Sequence, residues 1–151
     1  MKKNFVNLFE YNDWANKKVL ESFKTVDQIN EKIQLLFSHI LISQTIWLER
    51  LLLKPMSFNE TMILLSLDEC RSLSPKSSED WISFIEAAPE ENFNSVVSYK
   101  STKGLDLQNK LSDIITHVIN HSSYHRGQIA LLVRDSGGVP AVTDYVVYCR
   151  K

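Results

Sequence analysis

Residues that break regular structure are scarce in this 151-residue chain: it has four glycines and four prolines, and they cluster. Gly104 stands alone, Gly127 lies inside an apolar pattern, and Gly137-Gly138 with Pro140 ends one. Long stretches free of both residue types favour helices. Cysteine is rarer still. Cys70 and Cys149 are too few for a disulfide framework or a cysteine-based zinc finger, and they suit a reducing cytoplasm. Charge of one sign is also missing. Seventeen basic and eighteen acidic residues leave a net charge of -1, which gives no global basic field for nucleic acid and no acidic tail. Nor is there a long apolar run. The stretches around Leu35-Leu36-Phe37 and Met62-Ile63-Leu64-Leu65 fall far short of the ~18 residues a membrane span needs. Met1-Lys2-Lys3 imitates the start of a signal peptide, but Glu10, Asn12 and Asp13 interrupt the apolar region that should follow. The chain therefore reads as a soluble, unprocessed cytoplasmic protein with neither membrane nor nucleic acid as partner. With 44% hydrophobic residues, no internal repeat and no linker, it reads as one domain spanning 1–151.

What is present is helical periodicity. From about Lys3 to Phe23, apolar residues recur at three-and-four spacing through Phe5, Leu8, Phe9, Ala15, Val19 and Leu20, with Asn12 on the same stripe. A second helix is expected from about Ile29 to Leu53, stopped by Lys54-Pro55, and it is apolar on more than one side. Asn59 to Leu67 is an apolar connection without a readable shape. A third pattern runs from near Ser66 to just before Pro89. Pro75 interrupts it, so either a kink or a helix restarting with Pro75 in its first turn is expected. Asn92 to Lys100 alternates weakly and Ser101-Thr102-Lys103-Gly104 turns the chain, which reads as a small β-hairpin between helices three and four. The last helix is expected to hold one core face from Leu107 to Val133 and to be capped at Gly137-Gly138. The aromatic, β-branched tail from Thr143 to Tyr148 should pack back on the body. The fold class is all-α, a four-helix bundle.

Three of the four histidines fall on this last helix, at i, i+4 and i+8: His117, His121 and His125. Side chains four apart lie on nearly the same face, so two such imidazoles can share a metal ion. On spacing alone, His117–His121 is as good a pair as His121–His125. Continued in sevens, the core rows run through Leu111, Val118, His125 and Leu132, and through Ile114, His121 and Gln128, which favours the second pair. Burying two imidazoles is costly unless their nitrogens find partners, and a divalent cation satisfies both. His39 on helix two lies among Leu36, Ile40, Ile42 and Ile46, a core-like setting. A third imidazole from a facing helix would complete a three-histidine site with open positions, which is the catalytic type of site. The alternative is a hydrogen-bonded core histidine without metal. A di-iron site is disfavoured because these helices lack the Glu-x-x-His pattern.

The run His117-Val-Ile-Asn-His121-Ser-Ser-Tyr-His125-Arg126-Gly127-Gln128-Ile129 resembles the signature of the DinB (DNA-damage-inducible, YfiT-like) superfamily, whose members are taken to be metalloenzymes. Tyr11-Asn12-Asp13-Trp14-Ala15-Asn16 resembles its first-helix motif, His39-Ile40 with Trp47-Leu48 its second, and Thr143-Asp144-Tyr145 with Tyr148 its tail. The resemblance implies a bundle in down-up-up-down order, often a homodimer. It also implies a divalent metal, zinc or nickel foremost, with iron, manganese or cobalt as further options. The ligands it implies are His39, His121 and His125, with His117 usually not a ligand. Pro75 departs from the family pattern. Family members with known activities are mostly low-molecular-weight-thiol enzymes, such as bacillithiol S-transferases and mycothiol-dependent maleylpyruvate isomerase. The implied activity is therefore thiol S-transfer onto a small electrophile, with metal-dependent hydrolysis or a non-catalytic metal-binding bundle as the alternatives.

Neighbouring residues carry further expectations. Arg126 either pairs with a carboxylate to fix helix four or binds an acidic substrate. Gln128 orients a ligand or a bound water. Asn12 either supports the site or makes a buried bundle hydrogen bond. Gly127 allows close approach of another helix, and Trp14, Trp47 and Trp81 pack in the core or an interface.

Overall fold

The computed structural model describes residues 1–101 and 103–150, so Thr102 of the expected turn lies outside the described residues. The protein is predominantly helical, with one small antiparallel sheet. Its elements are α1 (Lys2–Ser22), α2 (Glu31–Leu51), α3 (Leu67–Ala87), β1 (Val96–Lys100), β2 (Asp106–Lys110), α4 (Leu111–Asp135) and a short α5 (Tyr145–Tyr148).

Local chemistry sets the helix ends. Asn30 caps α2, its side-chain oxygen accepting from Lys32 N at 2.8 Å. Ser66 opens α3 with a reciprocal capping box: Glu69 N donates to Ser66 Oγ and Ser66 N donates to Glu69 Oε2. α2 ends earlier than expected, at Leu51, and not at Lys54-Pro55. Leu53 N donates to Arg50 O and Lys54 N to Glu49 O, a Schellman pair that puts Leu53 at φ 53°. α4 ends the same way at Gly137, φ 80°, as the double glycine predicts.

Two expectations are corrected here. α3 continues as one helix through Pro75, which sits in its third turn, so of the two alternatives the restart is excluded. Proline removes one hydrogen bond, and the turn that loses it lies on the exposed Arg71 side while Ser74, Ser77 and Ser78 stay packed. Leu107 belongs to β2, opposite Tyr99, and is exposed; α4 begins only at Leu111. The short alternation Leu107-Gln108-Asn109 satisfies a strand as well as a helix, and pairing with β1 decides between them.

α1 packs against α3 and α4, and α2 packs against α3 and α4. The buried core has two apolar halves. One gathers Val19, Phe23, Ile33, Phe37, Ile129 and Val133, and the other gathers Phe5, Phe9, Trp81, Phe93, Leu111 and Ile115. Beside these apolar halves lies a polar stratum to which every long helix contributes. Asn12 and Asn16 come from α1, Gln44 from α2, Ser74 and Ser77 from α3, and Ser122 and Arg126 from α4, all buried. Gln44 Nε2 donates to Ser122 Oγ at 3.0 Å, Ser77 Oγ donates to Gln44 Oε1 at 3.0 Å, and Trp81 Nε1 donates to Gln44 O at 3.0 Å. The tail packs back as expected. Tyr148 is buried against Tyr11 and Trp14, and Tyr11 Oη donates to Thr143 O at 2.7 Å.

Candidate metal centre

The buried face of α4 runs through Leu111, Ile115, Val118, Ser122, Arg126, Ile129 and Val133. His121 and His125 each precede one of these positions, so they lie a step around the helix and are half-buried at the core edge. That corrects the heptad reading, which put them in the interior. His39 is half-buried on α2, opposite them.

The three imidazoles converge. His39 Nε2 lies 3.0 Å from His121 Nε2, and His125 Nε2 lies 3.1 Å from His121 Nε2. One ligand atom from each falls within 4.8 Å of the others, a geometry that can hold a metal ion. Their outer nitrogens show which atoms carry protons. His39 Nδ1 is 3.0 Å from Thr61 O, and His125 Nδ1 is 2.7 Å from Gln128 Oε1. Both oxygens accept, so both Nδ1 atoms donate, and in the neutral rings both Nε2 atoms are left with inward lone pairs. One N–H on His121 cannot satisfy two such acceptors well, whereas a cation at their centre suits all three. The donor set therefore fits a metal of the kind that imidazole binds.

The electrostatics agree. Burial and the neighbouring rings of His125, His39 and His117 hold the His121 imidazolium down, with its pKa lowered to about 3. His39 is lowered too, chiefly by burial. His121 and His39 thus resist protonation and keep electron pairs available.

His117 stays outside the ligand group. It is exposed, 5.6 Å from His121 between ring centroids and 5.6 Å from Trp47. Of the two equally spaced pairs, His121–His125 is the one that meets His39. Gln128 does what the sequence suggests by holding a ring of the triad. Arg126 takes the structural role without a carboxylate: its Nη1 donates to Asn12 Oδ1 at 2.6 Å and Asn16 Oδ1 at 3.0 Å, and its guanidinium lies 5.5 Å from the Tyr11 ring centroid. Asn12 thus makes a buried hydrogen bond between α1 and α4. Gly127 admits no neighbouring helix, since a Cβ there would meet nothing within 4 Å. Trp81 is fully buried, whereas Trp14 and Trp47 are partly so. Cys70 is buried, and burial pushes its thiol up; Cys149 is exposed, and neither belongs to the histidine group. Thr61 had no signal in the sequence, because its contribution is a backbone carbonyl from an irregular segment.

The comparisons with known proteins point one way. The family model described as DinB family matches residues 1–151. The curated "Protein DinB" of Bacillus subtilis (strain 168) is 28% identical over 158 residues, covering 93% of this chain and 91% of that protein. A crystal structure of a DinB-like protein from Bacillus cereus ATCC 10987 superposes with a TM-score of 0.71 at 16% identity, over 93% of this chain and 95% of that one, which establishes likeness of fold.

Proposed function

Since the chain belongs to the DinB family, we propose that it is a divalent-metal-dependent enzyme whose ion is held by His39, His121 and His125. The observation that carries this reading is the convergence of three Nε2 atoms whose rings are fixed from behind, at Thr61 O and Gln128 Oε1. Zinc or nickel fits three imidazoles first, with iron, manganese and cobalt as other members of the same series.

A divalent ion with open positions lowers the pKa of a coordinated thiol or water, giving a nucleophile at neutral pH. Among the described residues no carboxylate joins the histidine group. A nucleophile that is already acidic, such as a small thiol, therefore suits the site better than one needing a general base. We read the activity as transfer of a low-molecular-weight thiol onto a small electrophile. The chain's own part is to hold His39 and His125 in the tautomer that offers Nε2, and to keep His121 unprotonated.

We read the fold as a four-helix bundle in down-up-up-down order. Bonds between the helices support this. Ser38 near the start of α2 meets Cys70 near the start of α3, and Gln44 meets Ser77, so these two helices run parallel. His39 meets His121 while the later Trp47 meets the earlier His117, so α2 and α4 run antiparallel. We also infer a homodimer, supported by exposed apolar side chains at Met62 and Leu64 beside the site and at Tyr124 and Leu131 on α4.

Cobalt-loaded protein tests the chemistry. A small thiol should raise a sulfur-to-cobalt charge-transfer band and release one proton per site. Silence with every thiol tried, in protein whose cobalt still exchanges solvent, would shift the reading to hydrolysis. Silence with a closed coordination sphere would leave a structural ion.

A further inference from the structure

The seam between α2 and α4 carries more than the triad. Along α2 it presents His39, Trp47 and Arg50, and along α4 it presents His125, His121 and His117 in the opposite direction. Trp47 stacks edge-on with His117 at 5.6 Å and with Tyr99 of β1 at 4.9 Å. Around them is a slot of about 190 Å³ that also includes Asn109 and Asp113. Tyr99 is shared with a second cleft of about 420 Å³, lined by Arg50, Lys54, Lys100, Leu53 and Phe58 among others.

The second cleft is cationic with nothing to balance it inside. None of its described lining residues is acidic. Arg50 and Lys54 form no ion pair among the described residues. Lys100 reaches out to the exposed Asp106 at 2.7 Å. The nearby Glu49 is turned to the loop, where its carboxylate accepts from Ser57 N and Ser57 Oγ. The Arg50 guanidinium is stacked 5.0 Å over Trp47 and 6.0 Å over Tyr99, so it is held in place without an anion. At the rim stands Leu53, 90% exposed and in the left-handed region that leucine avoids.

We propose that this cleft binds the acidic end of an elongated organic anion, a phosphate or carboxylate at Arg50, Lys54 and Lys100, whose reactive end lies at the three histidines. The inference rests on the metal-enzyme reading above and names the class of its thiol substrate. Arg50 follows His39 by eleven residues, about 16 Å along the helix. The molecule must therefore place its acid at the end of a long arm. Asn109, Asp113 and the Trp47 ring favour an arm that is uncharged and carries hydrogen-bonding groups.

Coenzyme A and pantetheine form the matched probe pair, since they share one thiol arm and only the first bears phosphates. With cobalt-loaded protein, coenzyme A should raise the charge-transfer band at about tenfold lower concentration than pantetheine. In Lys54→Gln/Lys100→Gln, and separately in Arg50→Gln, the two thiols should need the same concentration. Equal titrations in the wild type, or an advantage that survives in both variants, would overturn the proposal. If neither thiol raises a band, the thiol reading itself has failed and the cleft is judged separately. Desulfo-coenzyme A, which has no thiol, should then still change tryptophan fluorescence saturably in the wild type and not in the variants. No change in the wild type rejects the cleft as well.

Discussion

Gln128 Oε1 accepts from His125 Nδ1 at 2.7 Å, one helical turn along α4. The bond fixes both the tautomer and the tilt of the ring that offers Nε2. Removing it in Gln128→Ala should weaken metal affinity by about 10–100-fold, and Gln128→Glu, which keeps an acceptor, should retain most of it. Competition against a chromogenic chelator measures both. Equal affinity of Gln128→Ala and wild type would show that the ring needs no such support.

The four histidines should divide cleanly. His39→Ala, His121→Ala and His125→Ala are expected to lose most of the bound metal by elemental analysis of untagged protein, and His117→Ala to keep it. A metal-poor His117→Ala with a metal-rich His125→Ala would move the ligand pair one turn toward the start of α4.

Acid should destabilise the metal-free protein before any carboxylate titrates. The ordinary imidazole pKa is near 6.5 and the folded His121 is held at about 3, with His39 also lowered. Between those values the unfolded chain binds protons that the fold refuses, so stability is full above pH ~6.5 and falls as pH drops toward 3. Urea midpoints of metal-free protein should decline steadily from pH 7 to about pH 5.5, above the range in which ordinary carboxylates titrate. Loaded protein should be more stable than metal-free protein at neutral pH, because the ion binds the folded state. A flat profile for the metal-free protein would contradict the burial of His121.

Two glycines should respond oppositely to alanine. A Cβ on Gly138 would sit 2.4 Å from Val26 Cγ1 and 2.8 Å from Thr25 Oγ1. Gly138→Ala should therefore cost about 1–3 kcal/mol. Gly127 is exposed inside α4 with open space around it, so Gly127→Ala should gain about 0.5–1 kcal/mol. Thermal denaturation separates the two signs.

Leu53→Gly should relieve the left-handed backbone after α2 and stabilise the fold by about 1 kcal/mol. A loss of stability would mean that the exposed side chain makes a compensating contact.

The sequence carried the helices well because apolar periodicity over twenty residues outweighs local exceptions. It failed where two patterns compete within a few residues, as at Leu107, which fits a strand and a helix equally until β1 is there to pair with it. The restart at Pro75 failed for a related reason, since one lost hydrogen bond is small beside the packing of a whole helix. Spacing alone showed that two α4 histidines can share an ion but not which two. The contact of His39 across the seam groups it with His121 and His125, and residue spacing on a single helix does not encode that contact. Heptad counting then pushed His121 and His125 too far inward, because the buried face of α4 is occupied by Ser122 and Arg126. Thr61 was invisible, as backbone carbonyls leave no trace in residue identity.

Buried Ser122 and Arg126 have a mechanical consequence for the histidines beside them. Apolar surfaces tolerate sliding, since leucine against isoleucine is worth much the same one turn along. The polar stratum does not. Shifting α4 by one turn, about 5.4 Å, would pull Ser122 from Gln44 and Arg126 from Asn12 and Asn16, stranding a guanidinium in the core. Ser122 directly follows His121, and Arg126 directly follows His125. The stratum thus works as a vernier. It indexes the helices against one another and so sets His121 and His125 level with His39.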